Sequence, residues 1–243
     1  MTRHLFLRAN AGRWEEEQAW DDAGACLLLV RTRRGGVERR QLVGAGTPAV
    51  LARVVERAAT DGVGPVGFGL LTRGTWQLVA PAARARLGVE QGPGWDWMWT
   101  ETVPPVRPGE EHVGPVTGEG AAEEVRACLA RANPDTSADP ADPDLRWWGF
   151  RDDGGVLRGV VAVNAPAGGP VHLSGLGTDE AWRRRGVGSA MMAAVTRWAL
   201  ADHPLVHYGI WADNDAARRI YTRLGYAVGL EVENLPRVTS PQA

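Results

Sequence analysis

Apolar positions along the chain fall into runs of two periods, about two and about three and a half residues, and these predict the elements. Cys26 to Arg31 and Val37 to Val43 read as strands joined by a turn at Arg33-Arg34-Gly35-Gly36. Thr47-Pro48 opens a helix, with Thr suited to the cap and Pro to the first helical position. Its apolar stripe is Val50, Leu51, Val54, Val55 and Ala58, and Asp61-Gly62 ends it. Gly62-Val63-Gly64-Pro65-Val66-Gly67 spells GxGxxG, but it follows a helix and holds a proline. A dinucleotide loop must follow a strand and open a helix, so this stretch reads as a connector into the apolar run Gly67 to Leu71. Pro81 to Arg86 reads as a short helix. Trp95-Asp96-Trp97-Met98-Trp99-Thr100 alternates with a period of two, which puts three indoles on one side of a strand.

The richest boundary signal is Val103-Pro104-Pro105-Val106-Arg107-Pro108-Gly109-Glu110, where proline and glycine favour extended chain. It divides the sequence into residues 1–103 and 104–243. After it, Val113 to Val116 reads as a strand and Ala121 to Arg131 as a helix. Ala132 to Asp144 is a loop holding Asp135, Asp139, Asp142 and Asp144, and either solvates or attracts a cation. Arg146 to Arg151 and Val156 to Asn164 form a hairpin around Asp152-Asp153-Gly154-Gly155. Strands follow at Val171 to Leu176 and Val206 to Trp211, separated by a helix at Met191 to Leu200. Asn214 or Asp215 caps a helix whose Ala217, Ile220, Tyr221 and Leu224 share a face; Gly225 closes it and Tyr226 to Val232 is the last strand. Ser240 to Ala243 reads as a frayed tail. The pattern is α/β, with an α+β-type mixed sheet, in two parts.

Composition narrows the class. The 243 residues allow one large or two small domains, and 44% hydrophobic with 23% charged content is that of a globular protein. A net charge of −2 gives no global field for nucleic acid. The chain has no Lys, so all 27 Lys-or-Arg positions are Arg, which fits a GC-rich coding bias. Cys26 and Cys128 are far apart, have no metal spacing and read as buried free thiols. Met1 to Ala11 lacks a signal-peptide core, and no run reaches the ~18 apolar residues of a membrane helix, so a cytoplasmic protein without a membrane partner is expected.

The candidate chemistry sits between the strand at 171–176 and the next helix. Ala181-Trp182-Arg183-Arg184-Arg185-Gly186-Val187-Gly188-Ser189-Ala190 is a basic, glycine-bearing turn at a helix start. The first N–H groups of a helix lack intrahelical partners and carry partial positive charge. Gly186 and Gly188 let an anion approach the backbone, and the three arginines add fork-shaped donors. No Gly-Lys-Ser/Thr follows, which sets aside a Walker-type loop.

Arg183-x-x-Gly186-x-Gly188, with Asn214-x-x-Ala217-x-x-x-Tyr221-x-x-x-Gly225-Tyr226 after it, resembles the GNAT superfamily of N-acyltransferases over roughly the last 140 residues. The resemblance implies a GNAT-like fold for 104–243, beside a smaller N-terminal α/β module at 1–103. The strand, strand, helix, strand order of that module loosely echoes half of the same fold, so a degenerate second copy and an unrelated module both stay open. It also implies an N-acetyltransferase: an amine attacks the thioester of acetyl-CoA directly while both substrates are bound. The acyl donor would lie between the strands at 171–176 and 206–211. Amides near Leu176 and Thr178 would hold its pantetheine arm, and the turn of Arg183, Arg184, Arg185, Gly186, Val187, Gly188 and Ser189 its pyrophosphate. Asn214 would orient the pantetheine or merely cap its helix. Tyr221 stands at the position that protonates the leaving thiolate. His172 is the candidate base, since imidazole titrates near neutral pH, although no carboxylate shares its strand. The expected acceptor is a small-molecule primary amine; a protein lysine or N-terminus, and a non-catalytic acyl-CoA-binding regulator, are the alternatives. No metal is called for, and the chain is expected as a monomer or homodimer.

Overall fold

The structure, a computed structural model, describes residues 3–34 and 37–238. Its elements in chain order are α1 (Leu5–Asn10), β1 (Glu15–Asp22), β2 (Ala25–Arg34), β3 (Val37–Ala45), α2 (Pro48–Thr60), β4 (Phe68–Thr72), α3 (Pro81–Leu87) and β5 (Gly94–Thr100). Then come β6 (Val113–Val116), α4 (Ala121–Ala132), β7 (Arg146–Arg151), β8 (Leu157–Asn164), β9 (Val171–Thr178), α5 (Val187–Leu200), β10 (Val206–Trp211), α6 (Asp215–Arg223) and β11 (Ala227–Pro236). The turn expected at Gly35-Gly36 and the tail expected at 240–243 lie outside the described residues. The chain divides into two units. One takes Met1–Trp97, Ile210–Asp213 and Val228–Ala243; the other takes Met98–Gly209 and Asn214–Ala227.

In the first unit the strand order is β1-β2-β3-β4-β11. β1, β2 and β3 are antiparallel neighbours, and β3 runs parallel to β4 across α2. Leu51, Val54, Val55 and Ala58 of α2 are buried, the stripe that the period predicts, and they meet Leu27, Leu29, Leu42 and Leu71 from the strands. The GxGxxG stretch is the connector from α2 into β4. β5 departs from its alternation. Trp97 is buried with its ring 5.6 Å from that of Phe6, yet Asp96, on the opposite side of the strand, is buried too. An ion pair with Arg73 at 2.6 Å makes that burial tolerable. A second buried carboxylate, Glu233, accepts from the backbone N–H groups of Gly74 at 3.1 Å and Trp76 at 2.6 Å.

In the second unit the order is β10-β9-β8-β7-β6. β6 to β9 are antiparallel, and β9 runs parallel to β10 across α5. Each unit is thus α/β with a mixed sheet. Both carry the same succession: three antiparallel strands, a helix, and a strand parallel to the third. In the second unit α4 covers one face, where Val125, Cys128 and Leu129 pack on Val160 and Ala162. α5 covers the other, where Met191 and Val187 pack on Phe150. Cys26 and Cys128 are both free and buried; burial pushes the two thiols up, to about 12 and about 11.

Candidate active site

The site is made by a fault in β9. Its register with β8 runs Asn164 to His172, Val163 to Leu173 and Ala162 to Ser174, then resumes at Val160 with Gly177. Gly175 and Leu176 therefore face one residue, Val161, in a β-bulge. Gly175 has φ +60°, and a Cβ there would stand 2.9 Å from the Cβ of Ala138, so both backbone and space ask for glycine. The bulge coincides with the parting of β9 from β10. Their parallel register pairs Val171, His172 and Leu173 with Val206, His207 and Tyr208, and goes no further among the described residues.

Past that point β9 keeps an open edge. Asp179 donates its backbone N–H to Arg158 on the β8 side at 2.7 Å. Strand amides alternate, so the N–H groups of Thr178 and Leu176 point the other way, into the gap beside β10. Such an edge pairs naturally with an extended, amide-bearing chain.

The edge leads straight into the basic turn. Asp179 caps a short 3-10 turn at Glu180–Trp182, its side chain accepting from Ala181 N–H. Burial alone would push its carboxyl up; the hydrogen bond from Arg131, the Ala181 amide and Arg158 outweigh burial and hold it below the usual range. Arg184 follows with φ +63°, a left-handed conformation that costs a non-glycine residue energy. Gly186, φ +85°, takes the N-cap position of α5 with no side-chain cap. The first helical bond is Ala190 N–H to Gly186 at 2.9 Å, so the N–H groups of Val187, Gly188 and Ser189 precede it and lack an intrahelical acceptor. A Cβ on Gly188 would lie 3.7 Å from Thr178 Oγ1, so packing alone does not demand glycine there.

The three arginines are not equivalent. Arg183 donates to the backbone oxygens of Thr178 at 3.2 Å and Ala132 at 3.3 Å, tying the turn to the ends of β9 and α4. Arg184 and Arg185 are exposed. The Arg185 guanidinium stacks on Trp182 at 5.1 Å, and Arg158 lies over the same indole at 5.5 Å. Nothing in the sequence spacing singled out Trp182, Arg158 or Asp179; they are joined by folding.

Tyr221 is 3% exposed and stands among other tyrosines. Its ring meets that of Tyr208 edge-on at 5.3 Å and that of Tyr226 at 5.9 Å. Tyr226 Oη and Thr196 Oγ1 share a hydrogen bond of 2.6 Å. Burial, with Tyr208 beside it, raises the Tyr221 phenol well above its ordinary value, so it stays protonated at neutral pH. Asn214 caps α6, its Oδ1 accepting from Ala217 N–H at 3.0 Å.

His172 lies elsewhere. Cross-strand partners share a face, and Ser174 is opposite Ala162, which belongs to the α4 core. His172, two residues before Ser174, is on that face, half-buried. Its Nδ1 is 3.3 Å from Nδ1 of His207, its partner on β10 and itself 1% exposed. Tyr208 is opposite Leu173 and so on the other face, with Tyr221. The two candidate catalytic groups are therefore held on opposite sides of the parted strands. His207 and Tyr208 carry no motif in the sequence; their only signal is membership of a strand parallel to β9. The acidic loop touches this region through Asn133, which donates to Leu176 O at 3.1 Å, and Ala138, which packs at Gly175. Asp139 and Asp142 turn their carboxylates onto the loop's own amides. Among the described residues no three His, Cys, Asp or Glu side chains gather as a metal site, and no helix is long and apolar enough to cross a membrane.

A parted parallel strand pair, a bulge with amides on the open edge and a basic helix start without a side-chain cap thus lie together between β9 and α5. Residues 120–226 match the acetyltransferase (GNAT) family model. This segment is a GNAT acetyltransferase domain. Acyl transfer from acyl-CoA is the activity of that family, and the chain carries a GNAT-type acyltransferase on that ground. Solved structures share its fold. A GCN5-related N-acetyltransferase from Kribbella flavida is 21% identical, with 97% of this chain and 93% of that one covered and a TM-score of 0.57. One from Sphaerobacter thermophilus is 17% identical, with 91% and 79% covered and a TM-score of 0.53. Among curated proteins nothing matches.

Proposed function

We propose that the chain transfers an acetyl group from acetyl-CoA to a primary amine of a small molecule, by direct attack with both substrates bound. The observation that carries this reading is the continuous line of donors from the Leu176 and Thr178 amides to the Val187, Gly188 and Ser189 amides, with Arg184 and Arg185 exposed beside them. A pantetheine arm has amides to pair with the strand edge, and a pyrophosphate has charge for the turn.

The chemistry needs three services. The Leu176 amide lies where the strands part and donates to the thioester carbonyl oxygen, stabilising the negative charge that develops as the amine attacks the carbonyl carbon. His172 takes the proton that the amine must lose, from the α4 face. Tyr221, protonated and on the opposite face, gives a proton to the sulfur as the carbon–sulfur bond breaks. Base and acid on opposite sides of the gap suit an amine that enters from one side and a thiol that leaves on the other.

The test is release of free thiol from acetyl-CoA in the presence of a panel of small primary amines and of lysine-bearing and N-terminal peptides. The reading expects acceptor-dependent release with a metabolite amine. Release only with peptides moves the acceptor to protein, and acetyl-CoA binding with no release for any acceptor favours a regulatory module.

A further inference from the structure

His172 and His207 stand side by side across the two parallel strands of the site. Their backbones pair in the register of β9 with β10, so both rings lie on the face that α4 covers. Nδ1 of one is 3.3 Å from Nδ1 of the other, and the ring centroids are 4.8 Å apart at 42°. On the β8 side the row continues with Asn164, opposite His172, whose amide nitrogen donates to the Asp144 backbone oxygen at 3.1 Å. His172 is half-buried and open to a substrate, whereas His207 is 1% exposed and shut off from one.

We propose that His207 is a positioning residue for His172: its Nδ1 accepts from the Nδ1–H of His172 and so leaves Nε2 of His172 as the nitrogen that takes the amine's proton. The inference rests on the acyl-transfer reading above. The Nδ1 contact holds one proton, since two would set donor against donor and none would set lone pair against lone pair. Two assignments follow. If His207 donates, neutral His172 already carries its proton on Nε2, and a second could enter only at Nδ1, against the His207 N–H. If His172 donates, its Nε2 carries the lone pair, and the imidazolium formed on proton uptake keeps the same bond to His207. Only the second assignment lets His172 act as a base without moving a buried ring. His207 then holds its own proton on Nε2, the tautomer that imidazole side chains ordinarily favour, and obliges His172 to take the less common one. The proton passes from the amine nitrogen to Nε2 as the nitrogen–carbon bond forms, and leaves to solvent from the half-buried ring.

Two variants and two readouts test this. His207→Leu removes the acceptor and keeps a side chain of similar bulk; His207→Asn sets a carbonyl oxygen where Nδ1 stood. Proton–nitrogen NMR of the histidine rings, in alkaline solution where both are neutral, should find the His172 proton on Nδ1 in the unaltered chain and on Nε2 in His207→Leu. Thiol release from acetyl-CoA to the most reactive primary amine of the panel above gives the rate. His207→Leu is expected to lower kcat about three- to fivefold with KM for acetyl-CoA within about twofold, and His207→Asn to recover most of that loss. Added to His172→Ala, His207→Leu should cost nothing further, because the two rings act as a unit. A His172 proton on Nε2 in the unaltered chain, an undiminished kcat in His207→Leu, or losses that add, overturns the proposal and leaves the acyl-transfer reading intact. No thiol release from the unaltered chain with any acceptor overturns that reading and the proposal with it. Thermal melts establish that each variant is folded; where His207→Leu is not, the ring spectrum of the unaltered chain and the rate of His207→Asn decide.

Discussion

The same passage, strand to helix to parallel strand, occurs in both units, and the two differ in how the strand ends and how the helix begins. In the second unit β9 breaks register at Gly175, parts from β10 after Leu173 and reaches α5 through residues 179–186, which carry three arginines; neither α5 nor α2 has a side-chain cap, although Thr47 suits that role by sequence. In the first unit β3 keeps an unbroken register with β2 from Cys26–Ala45 to Thr32–Arg39 and reaches α2 through Gly46 and Thr47 alone. Pro48 then occupies the first helical position and removes a donor. The space beside β3 is filled: a Cβ on Gly44 would meet Leu51 at 2.9 Å and Leu27 and Leu71 at 3.0 Å. The topology is shared, so a strand fault and a long basic turn set the second passage apart, and the leucine-filled, proline-opened passage of the first unit is ordinary core.

The same charge placed in both passages should act on one and not the other. Gly188→Glu sets a carboxylate among the donors at the start of α5 and should weaken acetyl-CoA binding by roughly 100-fold or more. Ala49→Glu puts the same charge on the exposed second position of α2 and should leave binding unchanged. Equal losses would mean that the two passages are not different in kind. Next in size, Tyr221→Phe should lower turnover by roughly 100-fold with acetyl-CoA affinity within about twofold, the pattern of a proton donor felt only in the reaction. His172→Ala should lower the rate by about tenfold near and below neutral pH, where the amine arrives protonated, and recover as alkaline solution deprotonates the acceptor. A pH-independent loss would assign His172 to structure.

How far all this is readable from the chain itself depends on how local the signal is. The stripe of α2 and the cap at Asn214 are local, and both stand where the pattern puts them. β1 was not expected, because Glu15-Glu16-Glu17-Gln18 carries no apolar alternation; its one buried anchor is Trp20, whose Nε1 donates to Asp61 at 2.8 Å. The indole strand reads as one apolar face, yet Asp96 is buried opposite it, through a partner 23 residues away. In the site, the glycine turn is legible as a spacing, whereas the parting of the strands is not. Gly175 was the available signal, since a lone glycine inside a strand pattern marks a bulge. Tyr208 and His207 could not be singled out, because their significance comes from the strand beside them.

Two smaller effects sharpen the account of the turn. Trp182→Leu removes the platform under Arg185 and should weaken acetyl-CoA binding by about threefold, the scale of an exposed cation–π contact, with the loss shrinking as salt is added. An equal loss at all salt concentrations would point to packing instead. Asp179 is held below the ordinary carboxylate range, so its contribution to stability is present above that range and is lost as pH falls through its folded value. Asp179→Asn should therefore lower the melting temperature slightly at neutral pH and flatten the acid-side decline. A parallel decline in both proteins would remove Asp179 from the acid sensitivity.

The most direct test of the central claim is the stoichiometry of acetyl-CoA binding by calorimetric titration of the whole chain. One equivalent per chain is the predicted result, with the affinity weakened roughly 100-fold or more by Gly188→Glu and untouched by Ala49→Glu. Two equivalents would contradict the claim that the passage in the first unit is closed, and no binding would contradict the site at β9 and α5 itself.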